Sequence, residues 1–210
     1  GAVVRISGLT LRNGTGMVSG ESTVGGLVAI HGDVLVADRC VFSNGIAGSG
    51  GAVHLAIGTG TGSARFTECQ FTDCEASERG GAVASDMPLE LIDCTFSGCT
   101  AGQGGGVQIQ GPTDVLMDGC SFTDNQASSG GGIHCIGASP MILQCTITGN
   151  ASSESPGGGM TSAGGEPMIT GTLICDNLPE QIEGSWTEGD GNCISVSCDA
   201  DLDGTVDCND

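Results

Sequence analysis

The sequence predicts an all-β chain wound as a parallel β-helix, a single-stranded solenoid of about seven rungs with three short strands per rung. Three observations carry that expectation. The first is a glycine-led block recurring at intervals near 25 to 30 residues: Gly50-Gly51-Ala52-Val53, Gly80-Gly81-Ala82-Val83, Gly104-Gly105-Gly106-Val107, Gly130-Gly131-Gly132-Ile133 and Gly157-Gly158-Gly159-Met160, with Gly25-Gly26-Leu27-Val28 as an earlier copy. The second is an interleaved block at the same period: Cys40-Val41-Phe42, Cys69-Gln70-Phe71, Cys94-Thr95-Phe96, Cys120-Ser121-Phe122 and Cys145-Thr146-Ile147. The third is texture: brief apolar–polar alternation between Gly, Ser, Asn and Asp, with no stripe at helical spacing.

Each rung can be justified in chain order. A run before the Cys, such as Leu89-Glu90-Leu91 or Asp114-Val115-Leu116-Met117, predicts the first strand. The Cys-led block predicts the second, and the stretch after the paired glycines the third. Those glycines fit tight turns where positive φ or close approach between rungs excludes a Cβ. Leu9-Thr10-Leu11 and Thr172-Leu173-Ile174 are degenerate copies at either end, and Gly1-Ala2-Val3-Val4-Arg5-Ile6 begins directly in strand-like sequence. Trp186, the only Trp, is expected either to shield the far end or to anchor an interface. Strands this short cannot close a core within one rung, so equivalent strands must pair in parallel, roughly 4.8 Å apart. Leucine-rich repeats and calcium-binding β-rolls share short periods, but their residue frames are absent.

Stacking places like on like. Phe42, Phe71, Phe96, Phe122, Ile147 and Ile174 are expected to form an inward spine, with Cys40, Cys69, Cys94, Cys120 and Cys145 as a ladder of sulfurs facing the same way. Cys74 and Cys99 stand at one turn position on adjacent rungs, which predicts a disulfide between them. His54 and His134 share an outward position too far apart for a common metal, and with His31 they read as solvated surface histidines.

Composition narrows function. The 210 residues include 39 Gly, 12 Cys and no Tyr, and the net charge is -20. All five Arg precede Gly80 while eighteen of the 25 acidic residues follow it. Nucleic acid and anionic membrane are poor partners for such a chain. No apolar run approaches a membrane span, and the cysteine content favours an oxidising, extracellular setting. The opening residues carry no signal-like segment and read as a mature or trimmed product.

The pairing of GGA[IVL] with F-x-x-N resembles the repeat of the chlamydial polymorphic outer-membrane proteins and related bacterial right-handed β-helix proteins of the pectin-lyase-like superfamily. The likeness spans about Gly1 to Trp186; Phe122 to Asn125 carries F-x-x-N in full, while Phe71 to Cys74 and Phe96 to Cys99 end in Cys. It implies a right-handed solenoid on a secreted or cell-surface protein used in adhesion.

The repeat ends near residue 188, so residues 1–188 are expected to form the β-helix and 189–210 a Cys-bracketed acidic appendage. There, Asp199 to Asp210 places oxygen donors at loop positions 1, 3, 5, 9 and 12 with Gly204 at 6, the spacing a hard cation needs. The segment resembles a thrombospondin type 3 repeat or the first half of a dockerin loop. Carried over, Asp199, Asp201, Asp203, Asp207 and Asp210 become side-chain ligands and Thr205 a carbonyl ligand for Ca2+. Cys175, Cys193, Cys198 and Cys208 are candidates for two bridges around it, in any of three pairings.

Two functional readings follow. The first is a non-catalytic extracellular or cell-surface solenoid with a structural or adhesive role, binding a surface or glycan ligand or stacking end to end into a filament. The alternative is a carbohydrate-active enzyme. Lyases of the superfamily need a basic residue beside calcium-binding carboxylates and hydrolases need clustered Asp, whereas this chain has no Lys, no Arg after Arg79 and no Asp-Asp pair. No catalytic residue is assigned.

Overall fold

The structure, a computed structural model, describes residues 2–19, 22–58, 62–111 and 114–199. They form a parallel β-solenoid, with no helix among the described residues. Four sheets run along its length, and one coil illustrates them: Val34–Asp38 in sheet A, Val41–Ser43 in sheet B, Ile46–Ser49 in sheet C and Val53–Ala56 in sheet D. Sheets A and B hold eight strands each, and C and D seven each.

This corrects the expected three strands per rung to four. Sheet C was missed because its strands, such as Glu75–Arg79 and Gln126–Ser129, alternate polar residues with alanine rather than with large apolar ones. Six coils carry all four strands, against the expected seven rungs; the next has Met168–Thr170, Leu173–Cys175 and Glu180–Gly184, with an isolated bridge from Ala151 to Leu178 at the sheet C position. The first coil departs locally, with Met17–Ser19 and Ser22–Val24 paired antiparallel. Thr187–Glu188 and Cys193–Ile194 continue sheets A and B, so solenoid pairing runs beyond the boundary expected at 188.

The core follows the stacking rule. Phe42, Phe71, Phe96, Phe122, Ile147 and Ile174 pair in register. Successive rings of the first four lie 4.8, 4.7 and 4.6 Å apart and within 5° of parallel. All six side chains are fully buried. Offset or edge contact is the usual aromatic preference; here strand spacing fixes the stack, and Phe66 adds an edge contact to Phe42 and Phe71.

The two reasons for glycine are divided between neighbours. Gly80 has φ +63°, which side-chain-bearing residues rarely adopt. Gly81 has no such φ, but a Cβ there would meet the Gly105 carbonyl at 2.1 Å and the Thr100 carbonyl at 2.7 Å, both on the next coil. At the far end, Trp186 packs against the core, which favours shielding over an exposed anchor.

The sulfur ladder is buried as expected, and all five of its members are free thiols. Their Sγ–H groups are directed at backbone carbonyls, as from Cys94 to Ile92 at 3.3 Å and from Cys120 to Leu91 at 3.3 Å. Cys74 and Cys99 are also thiols, not the expected disulfide. Parallel in-register strands point both side chains the same way, and each sulfur reaches the carbonyl two residues before it, at 3.4 Å to Thr72 and 3.5 Å to Ser97. Higher in that ladder, Asn125, Asn150 and Asn177 replace Cys, and each Asn Nδ2 donates to a carbonyl of the preceding coil at 2.8–3.0 Å.

Candidate functional site

Residues on the outer face of sheet A form one register row: Arg5, Val36, Arg65, Glu90, Leu116, Met141 and Met168. Together with Asp114 and Ser139 on the side of the D-to-A connections, this row from Arg5 to Met141 lines a groove of about 800 Å³ along the solenoid, and Met168 follows on the next coil. Its chemistry is graded. Arg5, at the first coil, has no ion-pair partner among the described residues. Arg65 is engaged through Nε and a terminal nitrogen by the Glu90 carboxylate of the next coil. Beyond Glu90 the row turns apolar, and Met141 and Met168 are 42% and 37% exposed. The groove can therefore offer an anion contact at one end and an apolar strip at the other.

A second feature lies where sheet C turns into sheet D. Ala29, His54, Ala84, Gln108, His134, Thr161 and Glu183 form the outer row of sheet D. Alternation predicts solvent exposure here, yet His54 and His134 are only 5% and 4% exposed and Gln108 is fully buried. The expectation of solvated histidines is corrected for these two; His31 remains exposed. Around His54 the cause is a side chain that reaches across the row from the end of a sheet C strand. Arg79, the last residue of a sheet C strand, binds Asp86 through both terminal nitrogens at 2.6 and 3.1 Å and donates to Gln110 at 3.0 Å. It also places Nη2 3.5 Å from His54 Nε2. Farther along, Ser155 Oγ lies 3.1 Å from Thr161 Oγ1, which donates to Glu183 at 3.3 Å. Burial lowers the pKa of both His54 and His134, and the Arg79 charge lowers that of His54 further.

Among the free cysteines, Cys94 and Cys135 suit packing better than chemistry. The hydrogen bond to Cys120 and burial push the Cys94 thiol up to about 12, and burial alone does the same for Cys135. Thiolates are the reactive form, so these sulfurs are poor nucleophiles.

Of the acidic loop, Asp199 lies within the described residues; Asp201, Asp203, Thr205, Asp207, Asp210 and Cys208 lie outside them. Cys175 and Cys198 form a disulfide with a Cα separation of 5.2 Å, tying Cys198 to the sheet B strand Leu173–Cys175. Cys193 is disulfide-bonded as well. Asp176 sits beside Cys175 and Cys198, but sulfurs joined in a disulfide do not make that trio a calcium site.

The corner and the groove both depend on how coils superpose, which single-residue motifs do not reveal. The repeated sheet A strands carried the groove row in the sequence, but only register aligned Arg5 with Arg65 and Glu90.

A stacked parallel coil of this kind defines a class of repeat solenoid. The family described as right handed beta helix region matches residues 2–174 and again 82–199, and the chain belongs to that family. A search of curated proteins found no match. Among the described residues no helix is long and apolar enough to cross a membrane.

Proposed function

We propose that this solenoid is a non-catalytic extracellular or cell-surface binding module that uses the sheet A groove to hold a surface glycan in an adhesive contact. The observation carrying this reading is the graded groove, with an unpaired Arg5 at one end and Leu116 and Met141 beyond Glu90, the apolar row continuing to Met168 on the next coil. An extended polymer lying along the solenoid axis meets one coil about every 4.8 Å. A carboxylated or sulfated sugar would use Arg5 and compete with Glu90 for Arg65, while the methionines would contact an apolar sugar face. The Cys175–Cys198 disulfide supports an oxidising location. The acidic segment from Asp199 to Asp210 is proposed to bind Ca2+, on the strength of its donor spacing.

Binding to immobilised glycans, with Arg5→Ala and Leu116→Asp as groove variants, tests the assignment. Retention by the wild type and loss of about tenfold or more in each variant is expected. Equal retention by all three would remove the groove from consideration. Calorimetric titration with Ca2+, repeated on Asp203→Asn, tests the acidic segment. The enzymatic alternative predicts chain cleavage of polygalacturonate or another acidic glycan, abolished by Glu90→Gln or Asp114→Asn.

Val3, Val4 and Leu9 are exposed apolar residues, and end-to-end association is kept as a second reading. Electron micrographs showing only short, uniform particles at high concentration with Ca2+ would exclude it.

A further inference from the structure

The corner between sheets C and D holds buried polar atoms whose needs the surrounding chain does not meet. His54 Nδ1, His134 Nδ1 and both side-chain polar atoms of Gln108 are buried without hydrogen-bond partners among the described residues. Buried groups of this kind are normally satisfied, so the corner is held together at a cost. Gln108 and His134 are direct partners on adjacent strands.

Protonation would raise that cost sharply. The Arg79 guanidinium, 3.5 Å from His54 Nε2, requires that nitrogen to accept rather than donate. A protonated Nε2 would set two donors and two positive charges against each other. His31, on the preceding coil, has its ring 6.0 Å from that of His54. Asp86 is the carboxylate facing this group, and both its oxygens already bind Arg79. Glu78, on the same sheet C strand as Arg79, accepts from Ser49. His134 faces Gln108 on one side and Thr161 on the other; the carboxylate that reaches it, Glu183, lies two strands along and accepts from Thr161.

We propose that this corner is an acid-sensitive latch: protonation of His54 and His134 puts one charge against the Arg79 guanidinium and another into the buried outer row of sheet D beside Gln108, and releases the corner while sheets A and B stay paired. The sign follows from linkage. Both imidazoles are neutral in the closed corner, with pKa values below the ordinary 6.5. An open corner takes up protons as pH falls below about 6.5, and the closed state loses stability over that range. Opening need not be global, because solenoid coils and local segments can loosen independently.

Hydrogen–deuterium exchange on the full chain at about pH 7.5 and about pH 5, corrected for intrinsic rates, tests this. Peptides covering Glu75–Ser85, Gln103–Gln110 and Ile133–Ile136 should exchange about tenfold faster at the lower pH, and those covering Cys94–Phe96 and Cys120–Phe122 should not. The variant His54→Gln/His134→Gln should lose that acceleration. Glutamine is a fair substitute, since Gln108 already occupies the same row. Equal acceleration in the double variant, uniform acceleration across all four sheets, or no acceleration would overturn the proposal. Should the double variant fail to fold, histidine titration by NMR on the wild type decides the matter. His54 and His134 must then become charged over the same pH range in which the corner opens; charging without opening contradicts the latch.

Discussion

Phe96 is the residue on which the packing argument can be tested most sharply. It is fully buried, with ring centroids 4.7 Å from Phe71 and 4.6 Å from Phe122. Phe96→Ala removes the side chain from a site whose neighbours are fixed by strand pairing on both sides, so the cavity cannot collapse readily. Burial and cavity effects place the cost at about 3–5 kcal/mol. Loss of two ring contacts at about 0.5–1.5 kcal/mol each overlaps with that figure and moves the expectation to about 4–6 kcal/mol. A chain of this length has roughly 10–30 kcal/mol in hand, so the variant should fold and be measurable. With a urea slope of about 2–3 kcal/mol/M, the midpoint should fall by about 2 M. Fluorescence is carried by Trp186, which packs at the end of the core, so circular dichroism should be followed in parallel to detect partial unfolding. A loss below about 1 kcal/mol with unchanged slope would mean that Phe96 is not enclosed between two rings.

Three further outcomes are expected. Gly81→Ala should cost about 2–5 kcal/mol, because its Cβ meets backbone carbonyls of the next coil; Gly119→Ala, whose Cβ meets the movable Asp93 carboxylate at 2.3 Å, should cost less despite φ +63°. The order of their thermal midpoints checks this, and a reversed order contradicts the account. Replacing Cys175 and Cys198 together by Ser opens a bridge across a sequence separation of 23 and should cost about 3 kcal/mol, read from denaturation with and without reductant. Native protein at about pH 8 should leave Cys94, Cys120 and Cys135 unalkylated until it is unfolded, since hydrogen bonding and burial hold the thiols near 12. Because those values are raised above the ordinary 9.0, the stability they contribute is present below about pH 9 and falls as pH rises toward 12.

The legible parts of the fold were those whose chemistry repeats with the coil. Phe42 through Phe122 announce their ladder because only an apolar side chain suits that position, and the paired glycines because only glycine fits them. Sheet C was silent for the opposite reason. Ile46, Glu75, Thr100, Gln126 and Ala151 share one register position yet have no common chemistry, and the row beside them is largely alanine. Burial of the histidines is invisible to alternation, which reports a side chain's direction from its own strand and not what reaches over it, as Arg79 does at His54. The thiol pair Cys74 and Cys99 shows the same limit: the repeat places them on adjacent coils, but only strand register shows that their side chains share one direction. The groove required register to become visible at all.

In-register stacking of the coils underlies the core, the groove and the corner alike. The most direct test is a nuclear Overhauser experiment on protein labelled at its five phenylalanines. Ring-to-ring signals are expected from Phe42 to Phe71, Phe71 to Phe96 and Phe96 to Phe122, with none from Phe42 to Phe122. Missing neighbour signals, or a direct signal between the first and last rings, would contradict the stacked solenoid.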